Sequence, residues 1–229
     1  MRILAFETSA KAASTALLED GRLLGEIYQN TGLTHSQTLM VMAQDLLKQC
    51  GKTVEDISAV AVAEGPGSFT GVRIGVAAAK GFAWGGAIPC CGVSTLAAMA
   101  RNVAFCDGLV ICAMDARRQQ VYNALFEAKD GSLTRLTPDR AIALAELTEE
   151  LKGNSRPITV VGDGALMCHG FLTEAGIPCR LAPPHLRMQN AMSVALEAEG
   201  MAAEGRLVSA QALEPVYLRP AQADRLRQK

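Results

Sequence analysis

Apolar positions run almost unbroken through RILAFE (residues 2–7) and stop at an acid, the pattern of a short buried strand. STALLEDGRLLGEIY (14–28) reads as two more strands joined at Asp20-Gly21, a dipeptide favoured in two-residue hairpins because both central residues take positive φ. In SQTLMVMAQDLLKQCG (36–51), Leu39, Ala43, Leu46 and Cys50 recur at helical spacing and Gly51 closes the helix. Thr53 to Asp56 has the spacing of a capping box that opens a short turn. ISAVAVA (57–63) is then a buried strand, a helix is expected from about Thr70 to Trp84, AIPCCGVS (87–94) is a strand and STLAAMARNVA (94–104) a helix.

The second half of the chain repeats this order. GLVICAMDA (108–116) is a strand, and QQVYNALFEAKDGSLTRL (119–136) is a hairpin turned again on Asp-Gly, here Asp130-Gly131. LAELTEELKG (144–153) is a helix, PITVVGDG (157–164) a strand, MCHGFLTEAG (167–176) a helix, IPCRLA (177–182) a strand and QNAMSVALEAEGMAAEG (189–205) a last long helix. Glu7 and Asp115 each end a first strand, and each stands at nearly the same offset from its hairpin glycine, Gly21 or Gly131. The pattern predicts an α/β fold of two lobes, each βββαβαβα, over residues 1–102 and 103–205. Residues 206–229, with Pro215 and Pro220, are expected to form a tail that returns to the first lobe and ends in disorder.

Composition narrows the function classes. The 22 Lys and Arg against 23 acids give a net charge of -1, so bulk charge points to neither a nucleic-acid binder nor a membrane-surface protein. No segment approaches the roughly 20 apolar residues of a membrane span. The apolar run in MRILAFETS is too short for a signal peptide, so a cytoplasmic location is expected. Seven cysteines, with Cys90 and Cys91 adjacent in an apolar stretch, read as reduced buried thiols.

The densest glycine stretch, AEGPGSFTGVRIGVAAAKGFAWGG (63–86), fits none of the glycine motifs that carry chemistry. The spacing from Gly67 to Gly71 is one residue short of a phosphate-binding P-loop, and Val72-Arg73 stand where Lys and Ser/Thr belong. Thr70 occupies the third glycine position of the dinucleotide fingerprint, and Ser68 directly follows Gly67, which excludes a nucleophile elbow. Ser68 or Thr70 instead reads as the helix N-cap. Gly67, Gly71, Gly75 and Ala79 lie four apart and form a stripe almost without side chains, as close backbone contact requires. That contact is either with a partner protein or with the chain's own first helix. On the first reading the partner surface comprises His35, Leu39, Met40, Met42, Leu47, Gly67, Gly71, Gly75 and Ala79.

Acids at the ends of the first strands suit a nucleotide and magnesium site. Two such lobes resemble the superfamily of sugar kinases, heat-shock ATPases and actin, the duplicated actin-like or ribonuclease H-like fold. A vestigial nucleotide site would then involve Glu7, Thr8, Ser9, Asp115, Gly162 and Gly164. In that superfamily the turn after each acid carries a glycine for phosphate approach, whereas ETSAK (7–11) and DARRQ (115–119) have none. These residues also read as plain turns at the rim of a sheet.

At ILAFETS, THSQTLMVM, GPGSFTGVRIG, GVSTLAAMA, MDARRQQVYNALF and EPVYLR the chain resembles the TsaB (YeaZ) family, over nearly its whole length. The resemblance implies the duplicated actin-like fold and no catalysis by the chain alone. It also implies pairing with the related TsaD enzyme and a TsaE-like ATPase in an assembly that makes threonylcarbamoyladenosine beside the tRNA anticodon. It implies a homodimer when the chain is alone, contact with tRNA through the complex, and at most weak ATP or ADP binding. TsaD holds a metal through V-x-H-x-x-x-H. The matching VSTLAAM puts Thr95 and Met99 at those positions, so no metal and no catalytic residue is expected. His35, His169 and His185 have no metal spacing. Glu7 departs from the Asp usual in the family. The competing readings are a small-molecule kinase or ATPase of the same superfamily and a tRNA-binding module resting on the tail residues Arg219, Arg225, Arg227 and Lys229.

Overall fold

The structure is a computed structural model that describes residues 1–219; the expected disorder at the chain's end lies outside the described residues. Two compact units emerge, Met1–Arg101 with Gln189–Pro215, and Asn102–Met188 with residues 216–219.

The first unit is built on β1 (Arg2–Glu7), β2 (Ala13–Glu19), β3 (Arg22–Gln29), β4 (Ala59–Gly65) and β5 (Cys90–Ser94), in the order β3-β2-β1-β4-β5. β1 pairs antiparallel with β2 and parallel with β4. Successive side chains of a strand point to opposite faces, and this divides the core in two. Leu4, Phe6, Leu17, Val60 and Val62 face α1 (His35–Gln49) and α2 (Phe69–Trp84), with Phe6 and Phe82 edge to face at 6.3 Å. On the other face lie Ile3, Ala5, Ala16, Ala59, Ala61 and Ala63. This alanine-rich surface lets a helix approach closely. It is covered by α3 (Thr95–Arg101) and by the last helix, Ala191–Ala203, through Ala191, Val194, Ala195 and Ala198.

That packing corrects the expected lobe boundaries. The last helix follows the second half in sequence but belongs with the first unit, because its small face matches the small face of the first sheet. Its start is fixed there as well. Asn190 caps Ser193, the Ala191 N–H donates to Ser14 Oγ at 2.8 Å, and the Met192 N–H donates to Glu26 at 3.1 Å. Val208 then bridges Cys90 on the edge strand, whereas residues 216–219 group with the second unit.

The second unit repeats the topology with β6 (Gly108–Asp115), β7 (Gln120–Lys129), β8 (Ser132–Arg135), β10 (Ile158–Val161) and β11 (Arg180–Leu181), in the order β11-β10-β6-β7-β8. An extra strand, β9 (Arg140–Ala143), pairs with β7 and has no counterpart in the sequence reading. α4 (Leu144–Glu150) and α5 (Ala165–Glu174) complete its core with Leu144, Leu147, Cys168 and Leu172, followed by the short α6 (Pro184–Arg187); the last helix, in the first unit, is α7. Both predicted hairpins have the positive φ they need, 49° and 75° at Asp20 and Gly21 and 51° and 76° at Asp130 and Gly131. The fold is therefore α/β, a duplicated actin-like arrangement of two mixed sheets. Among the described residues no helix is long and apolar enough to cross a membrane.

Candidate functional site

The glycine stripe has its contact inside the first unit. Ser68 caps α2, its side chain accepting from the Gly71 N–H at 3.3 Å while its own N–H donates to the Ser9 carbonyl at 2.7 Å. Thr8 Oγ1 donates to the Gly71 carbonyl at 2.8 Å. A Cβ on Gly67 would stand 2.5 Å from the Ser9 carbonyl, one on Gly75 2.5 Å from Thr8 Oγ1, and one on Gly71 would collide with the Thr8 carbonyl. Ala79 is fully buried. The expectation that Gly67, Gly71, Gly75 and Ala79 floor a partner surface is thus corrected: the stripe holds the turn after β1. Nor does it pack mainly on α1, the alternative read from the sequence.

The other candidate interface residues divide by exposure. Leu39, Met42 and Leu47 are buried in the core beneath α1, so they too are corrected from partner-facing to internal. Met40 is 37% exposed and Val41 54% exposed, on the outer side of the same helix. His35 is half-buried at the start of α1, with Nε2 2.9 Å from the Ala10 carbonyl, which ties α1 to the β1–β2 turn. On α2 the exposed positions are Thr70, Arg73, Ala77, Gly81 and Trp84. Val41 was not among the interface residues read from the sequence, although it belongs with Met40, Met42 and Leu47 to the apolar positions that spread round α1 further than one sheet can cover. Its place on the helix, opposite Leu39, Ala43 and Leu46, was the available signal.

The two strand-end acids play matching parts. Glu7 is buried, and its Oε1 accepts the Ser9 N–H at 2.5 Å. Asp115 is exposed, and its Oδ1 accepts the Arg117 N–H at 2.7 Å while Oδ2 lies 3.3 Å from the Arg117 guanidinium. Each carboxylate therefore satisfies the backbone N–H two residues on, a donor that a phosphate-binding turn would present to its ligand. Gly164 packs on the end of β6, where a Cβ would be 2.9 Å from the Asp115 N, and the Gly162 N–H donates to the Arg187 carbonyl at 2.8 Å. The structure thus gathers Glu7, Thr8 and Ser9 against α2 in the first unit, and places Gly164 against Asp115 in the second. Thr95 and Met99 are buried on α3, and among the described residues no group of three His, Cys, Asp or Glu side chains is placed to hold a metal.

A family model described as TsaD, tRNA N6-adenosine threonylcarbamoyltransferase, matches residues 27–223. The chain is 35% identical over 223 residues to the Escherichia coli tRNA threonylcarbamoyladenosine biosynthesis protein TsaB, covering 96% of this chain and 95% of that protein. The chain belongs to the TsaB (YeaZ) family. Its Bacillus subtilis relative, also named TsaB, is 41% identical over 162 residues, 71% of each chain. A Pseudomonas aeruginosa structure described as similar to peptidase YeaZ superposes with a TM-score of 0.83 at 28% identity, covering 95% of this chain and 99% of that one. The buried Thr8–Gly71 contact is a scaffold, and the outer sides of α1 and α2 are exposed.

Proposed function

We propose that the chain is a non-catalytic subunit for threonylcarbamoyladenosine formation in tRNA. It pairs with a TsaD-like transferase subunit and acts with a TsaE-like ATPase, and in isolation it forms a homodimer. The observation that carries the reading is the buried state of Thr95 and Met99, 0% and 1% exposed. They stand where the resemblance puts the metal-binding histidines of TsaD. A threonine hydroxyl and a thioether are poor ligands for a hard or borderline metal, and buried on α3 they contribute packing.

The proposed partner surface is the outer side of α1 with the exposed edge of α2: Met40, Val41, Arg73 and Ala77. Met40 and Val41 offer an apolar centre on a surface helix, and Arg73, stacked on the Phe69 ring at 4.0 Å, offers a polar rim. The reading assigns no cofactor and no membrane partner to this chain. The competing small-molecule kinase would need the strand-end acids for magnesium and nucleotide, yet each acid serves its own turn.

Co-expression of the chain with its own organism's TsaD-like protein, followed by gel filtration, tests the pairing. A stable heterodimer is expected. Separate elution of the two proteins contradicts it. A thermal shift with ATP and magnesium separates the kinase reading: the melting temperature of the isolated chain is expected to stay within about 1 °C. A saturable rise of several degrees would favour a kinase.

A further inference from the structure

The connection from β6 to β7 is held in an uphill backbone conformation that presents two arginines. Arg117, Arg118 and Gln119 have φ values of 67°, 54° and 56°, three consecutive side-chain-bearing residues in the left-handed region. The turn is pinned from several directions. The Ala116 N–H donates to the Gln120 carbonyl at 3.0 Å, the Gln120 N–H to the Arg117 carbonyl at 3.2 Å, and the Leu144 N–H, at the start of α4, to the Gln119 carbonyl at 3.0 Å. Arg117 and Arg118 both point to solvent, Arg117 with 83% of its side chain exposed. Arg118 makes no ion pair among the described residues.

A third arginine is brought to the same place from the far end of the chain. Arg219 donates to the Ala116 carbonyl at 3.0 Å and to Gln120 Oε1, with its guanidinium 5.8 Å from the centre of the Tyr122 ring. Acids stand here too: Asp115 accepts the Arg117 N–H and lies 3.3 Å from its guanidinium, Asp163 precedes Gly164, which packs on the Asp115 N, and Glu146 is in the first turn of α4. In a chain of net charge -1, Arg117, Arg118 and Arg219 form a local concentration of positive charge on two segments that meet.

We infer that this turn is a contact for the phosphate backbone of RNA, made by the chain within the tRNA-modifying assembly proposed above, on which the inference rests. Guanidinium groups bind phosphate through paired N–H donors, and several of them on an exposed turn match a row of phosphates better than one enclosed anion. Because the turn's backbone is already fixed, binding orders only the side chains. Contacts of this kind position a nucleic acid without reading its sequence.

The test uses the full chain in complex with its TsaD-like partner. tRNA binding is measured by fluorescence anisotropy over a series of KCl concentrations, for the parent, for Arg117→Gln with Arg118→Gln, and for Arg117→Lys with Arg118→Lys. The glutamine pair is expected to weaken tRNA binding about tenfold at low salt and to lower the slope of log affinity against log salt by roughly 2, because two phosphate contacts are lost. The lysine pair should keep most of the slope. In both variants the heterodimer should elute as the parent does. An intact heterodimer with unchanged affinity and slope overturns the inference. So does a glutamine pair that no longer forms the heterodimer, because the arginines then belong to the protein–protein contact. If the parent chain itself fails to pair, the proposed function falls and this inference falls with it.

Discussion

The Thr8 hydroxyl donates to the Gly71 carbonyl at 2.8 Å, and the Thr8 carbonyl fills the space that a Cβ on Gly71 would need. The two residues are 63 positions apart in the chain. Their contact explains why α2 tolerates glycines that each cost about 0.5–1 kcal/mol of helix stability. The glycines let the helix backbone meet the turn after Glu7, and that turn fixes both the buried acid and, through Ala10 and His35, the start of α1.

Two glycine substitutions on one helix should move stability in opposite directions. Gly71→Ala forces a methyl into the Thr8 backbone and is expected to destabilise the chain by about 1–3 kcal/mol or more. Gly81→Ala meets nothing within 4 Å and removes a flexible helix residue, so it should stabilise by about 0.5–1 kcal/mol. Urea denaturation of both variants checks the pair. Equal effects would contradict the assignment of the stripe to internal packing.

Val41→Glu should separate binding from folding. Val41 is 54% exposed on α1, so the charge should change stability by no more than about 0.5 kcal/mol. Placed in the centre of the proposed interface it should cost about 2 kcal/mol of association, roughly 30-fold. Isothermal titration against the TsaD-like partner measures the loss. Gly75→Arg cannot make this separation, because its side chain would displace Thr8.

Glu26 gives a pH signature. Burial pushes its carboxyl above the usual carboxylate range, more than the N–H groups of Met192 and Ala191 pull it down. A carboxyl that holds its proton more tightly when folded stabilises fully below its unfolded value of 4.5 and loses that contribution as pH rises through the folded value. Relative to Glu26→Gln, the parent should therefore lose stability as pH climbs from about 4 towards 7. Denaturation midpoints of the two proteins at several pH values check this. A parent that gains on the variant with rising pH would show the opposite shift.

The cysteines should divide by burial. Cys90, Cys91, Cys112 and Cys168 are buried, and burial pushes the Cys91 and Cys168 thiols up to about 12. Cys50, Cys106 and Cys179 are partly exposed. Native protein at pH 8 is expected to react with Ellman's reagent at no more than these three, and unfolded protein at all seven. Rapid native labelling at Cys91 or Cys168, mapped by mass spectrometry, would contradict the packing.

Much of the fold was legible because its signals are local. The Asp20-Gly21 and Asp130-Gly131 hairpins, the Thr53–Asp56 capping box and the Ser68 N-cap each depend on residues a few positions apart. The direction of the glycine stripe was not legible. Small residues at every fourth position announce close contact without naming the neighbour, and the neighbour, Thr8–Ser9, is remote in sequence. The unit to which α7 belongs was hidden for the same reason. Its alanines fit any flat small-residue surface, and the first sheet supplies Ala5, Ala16 and Ala61. The matching roles of Glu7 and Asp115 were half legible: the sequence aligned the acids, but only geometry shows each accepting an N–H two residues on.

The most direct test of the account is a reconstituted transfer assay that follows threonylcarbamoyl incorporation into tRNA with the TsaD-like and TsaE-like proteins, with and without this chain. No incorporation is expected from the chain alone, and a large loss is expected when it is omitted or replaced by Val41→Glu. Incorporation by the chain alone, or full activity without it, would contradict a non-catalytic partner that acts through the outer surface of α1.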